Sequence, residues 1–270
     1  MTNIYNCFPG RWATGAFILA FGLYAGIAAA AAPDILDVRP GMSPADAYNA
    51  LRAVDPTHRV TVAQIQIPEL LGNTPAAYMM APENLDTLKD NVYVNITLPP
   101  SPQQVWGVHR TLTGIHTTRD QIVASLLQKY GSNYVSQLYF RFVWAFTEDG
   151  QPANLSKADV NACEYRMGAA TELNVPVIGP PIKTVMTSGH APGKFPDLFD
   201  PGQFPQCQSL VWVIAAISGG DLNWILYVDI TYPGLQHRTT KALWSFFNGR
   251  DTQQQQQNLN QAEHTAVPKL

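Results

Sequence analysis

Between Gln137 and Phe146 the chain alternates strictly. Leu138, Phe140, Phe142, Trp144 and Phe146 fall on one side of an extended backbone, and Tyr139, Arg141, Val143 and Ala145 on the other. Successive side chains of a strand point to opposite faces, so this period of two fits a strand and excludes an amphipathic helix. An aromatic stripe of this kind must be covered, and the stretch is predicted to be the central strand of a sheet lying over a helix layer.

The rest of the chain fits around such a sheet. Ser43-Pro44-Ala45-Asp46 is a helix start: Ser43 as N-cap, Pro44 at the first helical position and Asp46 where a capping box wants its acid. Ala47, Leu51 and Val54 share a face, and Asp55-Pro56 ends the helix. A strand follows over Val60 to Ile67. Its apolar phase changes between Val62 and Ile65, which a bulge allows. Leu70 to Leu88 reads as loop. Val92, Val94, Ile96 and Leu98 alternate with polar residues up to Pro99-Pro100, and Val105 to Leu112 is the next strand. Thr117 or Thr118 caps a helix running to Tyr130, with Gly131 as its stop. Leu210–Ile217 and Asn223–Tyr232 form a hairpin around Gly219-Gly220, and Arg238 to Phe247 is a third helix. From Gly249 onward a Gln/Asn tract without apolar periodicity is expected to be disordered. Strands paired without intervening helices argue for an α+β class: a mainly antiparallel sheet with two or three helices packed on one face. The two helix starts share an S/T-x-x-D signature, Ser43 to Asp46 and Thr117 to Asp120. It suggests either one domain over 32–248 or two related helix-plus-strands modules, 34–112 and 113–248.

The N-terminus sets the compartment. Met1 to Trp12 carries Arg11 and no acid, and an apolar, small-residue run of 20 residues extends from Ala13 to Ala32. A short positive region, a hydrophobic stretch and an A-x-A exit read as a secretory signal peptide over residues 1–31, cut after Ala31. The competing reading is a retained anchor, because the run is long enough to span a bilayer. Cys7 precedes the run and is no lipidation site. After cleavage no other run approaches spanning length, so a periplasmic or secreted chain without a membrane span is expected. Cys163 and Cys207 then remain, and an even pair in an oxidising compartment should form a disulfide. It brackets most of the turn-rich segment 147–206. Charged residues make up 14% of the chain, with 17 Lys and Arg against 20 Asp and Glu and no basic block. A nucleic-acid partner is therefore not expected.

Val38-Arg39-Pro40-Gly41-Met42-Ser43, followed by the alanine-rich helix to Val54, resembles the opening of the SmpA/OmlA family of small outer-membrane lipoproteins. These belong to the barrel-assembly machinery, and their fold places two helices against an antiparallel sheet. The family's lipidated cysteine has no counterpart here, and its Leu-Gly-x-Pro helix exit is replaced by Val54-Asp55-Pro56. The resemblance implies a helix-plus-sheet module in the bacterial envelope.

Catalytic signatures are sparse. None of the six histidines forms an H-E-x-x-H, H-x-H or Cys/His cluster, so neither metal nor cofactor is expected. His109 and His116 read as surface or loop residues. Ser218-Gly219-Gly220 lacks the G-x-S-x-G frame. No catalytic residue is assigned. Two strand arginines are the candidate binding residues. Arg110 falls in the phase of Trp106, Val108 and Leu112, and a guanidinium on an apolar face demands a partner, either an internal acid or a ligand carboxylate. Arg141 lies on the less apolar face of its strand and is expected to pair with Asp229. These features favour an exported binding or interaction protein, without enzymatic activity, for an unidentified protein or small-molecule ligand. The alternative is a hydrolase assembled from the 147–206 loop with Ser188, His190 or Arg110. The leader is tested by N-terminal sequencing of the exported protein. Ala32 or a residue within two of it is the expected first residue, and intact Met1 in a membrane fraction would show an anchor.

Overall fold

The computed structural model of the chain describes residues 32–54, 56, 59–82, 89–138, 140–156, 158–160, 163 and 205–264. The expected leader and most of the 147–206 segment, with Ser188 and His190, lie outside the described residues. The elements run α1 (Pro44–Val54), β1 (Val60–Ile65), α2 (Pro68–Leu71), β2 (Ala76–Pro82), β3 (Asp90–Ile96), β4 (Val105–Ile115), α3 (Arg119–Tyr130), β5 (Ser136–Leu138), β6 (Arg141–Phe146), α4 (Pro205–Gln208), β7 (Val211–Gly220), β8 (Asn223–Thr231) and α5 (Pro233–His264). One eight-stranded sheet has the order β1-β2-β3-β4-β8-β7-β6-β5. Every described pairing in it is antiparallel. The fold is α+β with the sheet dominant. No helix among the described residues is long and apolar enough to cross a membrane.

The order has an internal regularity. A helix precedes each of two four-stranded meanders, α1 before β1–β4 and α3 before β5–β8, and the meanders meet where β4 pairs with β8. β4 continues to Ile115, and residues 116–118 connect the two meanders. Local chemistry sets both helix starts. The Ser43 hydroxyl accepts from the Asp46 amide at 3.1 Å and donates to its carboxylate at 2.7 Å. In α3 the cap is Thr118, whose hydroxyl accepts from the Gln121 amide at 3.3 Å while Gln121 Oε1 accepts from the Thr118 amide at 3.1 Å. The box is therefore Thr118–Gln121, one residue later than the expected Thr117–Asp120 signature. Gly131, with φ at 86°, ends α3 and donates to Leu127.

The phase change in β1 is a register shift between Ala63 and Gln64. It sends Val60 and Val62 to the main core, and Ile65 to a small cluster with Ile67 and the α5 residues Leu243 and Phe247. Other expectations give way. The alternating stretch is not one central strand, because Leu138 pairs with Arg141 and the chain reverses between them. Phe140 is left 48% exposed, under the Arg119 guanidinium, whose Cζ is 4.9 Å from the ring centroid. Phe142, Trp144 and Phe146 keep the predicted buried phase, in a strand second from the sheet edge. Ala76–Pro82, expected as loop, is β2. It has no β-branched residue, and what makes it a strand is the pairing offered by β1 and β3 on either side. The β7–β8 reversal lies at Asp221-Leu222, both with positive φ (51° and 59°), one step beyond Gly219-Gly220. Gly219, at φ 106°, has no room for a Cβ against the Asn223 carbonyl. The Gln/Asn tract, expected to be disordered, is helical to His264 as the end of α5. It is almost wholly exposed, so helix propensity and extension from the packed first half sustain it rather than a core.

One face of the sheet carries Val92 and Val94 of β3, Val108 of β4, Val213 of β7, Phe142 and Trp144 of β6 and Ile230 of β8 in the main core. Ala47 and Leu51 of α1 and Ile122, Leu126 and Tyr130 of α3 belong to the same cluster. Trp144 Nε1 donates to the Gly131 carbonyl at 2.8 Å, tying β6 to the end of α3. The opposite face of β6 and β7 is buried as well. Val143, Ala145, Trp212 and Ile214 pack with Cys163, Cys207 and Leu210. Cys163 and Cys207 are bonded to each other with their Cα atoms 5.5 Å apart. A bridge closing 44 residues restricts the unfolded chain by about 4 kcal/mol at most. The expectation of helices on one side and an open face on the other thus fails on this half of the sheet, where the disulfide-bonded layer covers the second face. Phe142→Ala and Trp212→Ala, on opposite faces, should each cost about 3–5 kcal/mol through lost burial and a cavity. Urea melts measure both. A small loss for Trp212→Ala would mean that the second face is not packed.

Candidate functional site

Where β4 pairs with β8, Arg110 lies opposite Val228 and Leu112 opposite Leu226. All four point to the face on which α3 lies. Ile122, Leu126 and Tyr130, spaced four apart, carry α3 onto that face. Its neighbouring flank carries Gln121, Ser125 and Lys129, which are exposed. None of these three is a large apolar side chain able to fill the gap between helix and seam. The result is a cavity of about 400 Å³ between α3 and the β4–β8 seam. Its walls are apolar, formed by residues such as Leu112, Ile115, Ile122, Leu126, Leu226 and Val228. Such a volume lies in the range of small-molecule pockets.

The polar groups of the lining are mostly committed to the protein. Ser125 donates to the Gln121 carbonyl at 3.0 Å, Thr117 donates to Gln121 Oε1, and Tyr130 donates to the Asp34 carbonyl at 3.2 Å. Burial, then the Asp34 carboxylate, push the Tyr130 phenol above its ordinary pKa, against a smaller opposing effect of Arg110. Arg110 is held by Asp90 on the neighbouring strand: Nε donates to Oδ1 at 3.0 Å and Nη2 to Oδ2 at 2.8 Å. This fork-on-fork geometry fixes the guanidinium plane. Lys129 Nζ donates to Asp34 Oδ1 at 3.1 Å. Asp34 opens a tight turn in which Leu36 and Asp37 both have positive φ (53° and 62°) and Ile35 and Val38 exchange two backbone hydrogen bonds. The turn sets Ile35 in the cavity wall.

The sequence-derived candidates are therefore separated. Arg110 faces the cavity and has the internal acid that its position demanded. Arg141, opposite Ala216, points to the other face, and its expected pairing with Asp229 does not form. β7 lies between their strands, and Asp229 stands opposite Ile214 rather than Ala216. Two strand spacings plus this offset exceed the reach of an ion pair.

Asp229 serves His109 instead. The His109 Nδ1 to Asp229 Oδ1 distance is 2.6 Å, and Asn95 Nδ2 lies 3.0 Å from His109 Nε2. With Asp229 as acceptor and the Asn95 amide as donor, the ring carries a proton on Nδ1. The Tyr93 ring stacks on the imidazole at 4.8 Å between centroids. Gly107 leaves the space beside them, since a Cβ there would come within 3.3 Å of Nε2. His109 is only 4% exposed, which corrects the reading of it as a surface histidine. An Asp–His pair can activate a nucleophile only if the far nitrogen reaches a hydroxyl or thiol; here that nitrogen is taken by an amide. Among the described residues no group of His, Cys, Asp or Glu is arranged to hold a metal ion. His116 Nδ1 lies 3.1 Å from the Leu222 carbonyl, far from this cluster along β4.

The sequence reading missed Lys129 and Tyr130 as site residues, because the same spacing that marks a buried helix stripe hides a residue at its edge. No protein family model, curated protein or solved structure matches the chain.

Proposed function

We propose that this is an exported, non-enzymatic binding protein that takes an apolar small molecule between α3 and the β4–β8 seam. The observation carrying this reading is the apolar cavity, which opens at the α3 flank and whose hydroxyl groups are spent inside the protein. A lining of this kind offers contact area and excludes water, and it has no nucleophile beside a base. The leader expected from the sequence and the Cys163–Cys207 bridge support a periplasmic or secreted location, and the resemblance of Val38–Val54 to SmpA/OmlA proteins supports the bacterial envelope. Under the same proposal the two helix-led meanders are related modules covered by their helices on one face. The binding cavity then arises at their junction, from the short and polar flank of α3.

A neutral apolar fluorophore, N-phenylnaphthylamine, provides the test. Its emission should rise saturably with the native protein. Ser125→Trp, which places an indole at the cavity mouth while leaving the buried α3 stripe intact, should abolish the rise without lowering the urea midpoint appreciably. Absent binding, or binding indifferent to Ser125→Trp, would refute the proposal.

A further inference from the structure

The distribution of charge around the cavity identifies its ligand more closely, an inference that rests on the binding reading above. The lining contains two cations, Arg110 and Lys129, and no acid. Their counter-charges, Asp90 and Asp34, stand outside the lining and hold each cation in place. Asp90 occupies only the Nε–Nη2 edge of the guanidinium. The Nη1 donors reach no described residue, and an arginine presents five N–H groups in a rigid fork. Lys129 likewise spends one of its three donors on Asp34. Of the other polar liners, Thr117, Ser125 and Tyr130 already donate within the protein, and the neutral Gln121 amide accepts there through Oε1. The charged donors left to meet a ligand are thus those of the two cations, and they stand beside walls that are largely apolar.

We infer that the ligand is a single-headed amphiphile with a carboxylate. Its chain lies against Leu226, Val228 and Leu126, and its head group accepts from Arg110 and Lys129. Each cation is already matched by one carboxylate, so the site as a whole is close to neutral; a monoanion suits it better than a dianionic phosphate. Hydrogen bonds between ionised partners are the stronger class, and here they form beside an apolar wall where water competes less.

Displacement of N-phenylnaphthylamine from the full-length exported protein by decanoate and by decanol tests the assignment, because the two share a chain and differ in charge. Decanoate should displace the probe at a concentration about tenfold or more below that of decanol, the ratio that one well-made charged contact supplies. Lys129→Gln, at an exposed position, should cut that ratio severalfold. Arg110→Gln should bring it to about one; because this variant leaves Asp90 without its partner, Lys129→Gln serves where Arg110→Gln does not fold. Equal displacement by the two compounds, or a ratio unmoved by Lys129→Gln, would overturn the carboxylate assignment and leave the binding reading standing. Probe that binds but yields to neither compound would also overturn the assignment. Failure of the probe itself to bind would remove the binding reading beneath it.

Discussion

The pairing of β4 with β8 is the interaction on which the rest of the molecule depends. It joins two meanders that are otherwise separate in sequence, with Gly107 to Leu112 running against Leu226 to Thr231 in unbroken register. Because side chains alternate, one register decides both faces at once. On one face it sets Arg110 beside Val228 and makes the cavity floor. On the other it sets His109 beside Asp229. A slip of one residue would exchange the two environments, burying Asp229 under α3 and exposing Val228. Neither strand tolerates that cost, so the seam is specified by its side chains as well as its backbone hydrogen bonds.

The polar groups at the seam are affordable because each is answered. A guanidinium beside a core costs several kcal/mol unless it is paired and hydrogen-bonded, and Asp90 supplies two bonds. An imidazole buried to the extent of His109 needs a partner on each nitrogen, and Asp229 and Asn95 provide them. The cavity has the opposite character. Its walls have neither polar partners nor protein atoms to fill the space, which forfeits packing that a closed core would gain. Under the binding proposal, a ligand supplies the missing contacts.

Much of this was legible in the sequence and some was not, for identifiable reasons. Caps were legible, since Ser43 and the Thr117-Thr118 pair act on the next turn of their own helices. The bulge in β1 was legible as a change of phase between Val62 and Ile65. The demand of Arg110 for an acid was legible from its place in an apolar phase, although nothing local pointed to Asp90 across the strand. β2 was invisible because Ala76–Pro82 becomes a strand through its neighbours rather than through its own composition. The reversal near Phe140 was hidden by an alternation that continues in the same phase across the turn. The His109–Asp229 contact required the β4–β8 register, which alternation in either strand alone cannot give. The cavity is a matter of packing between three elements, and no single periodicity reports it.

Native-state hydrogen exchange tests the central claim most directly. If the β4–β8 seam is the spine of one cooperative sheet, its amides exchange last and together, at the free energy of global unfolding. The amides of β2–β3 and β6–β7 should open at that free energy or below it. Exchange of the seam ahead of those flanking pairs, with the two meanders opening in separate steps, would contradict the account and make the molecule two independent units in contact.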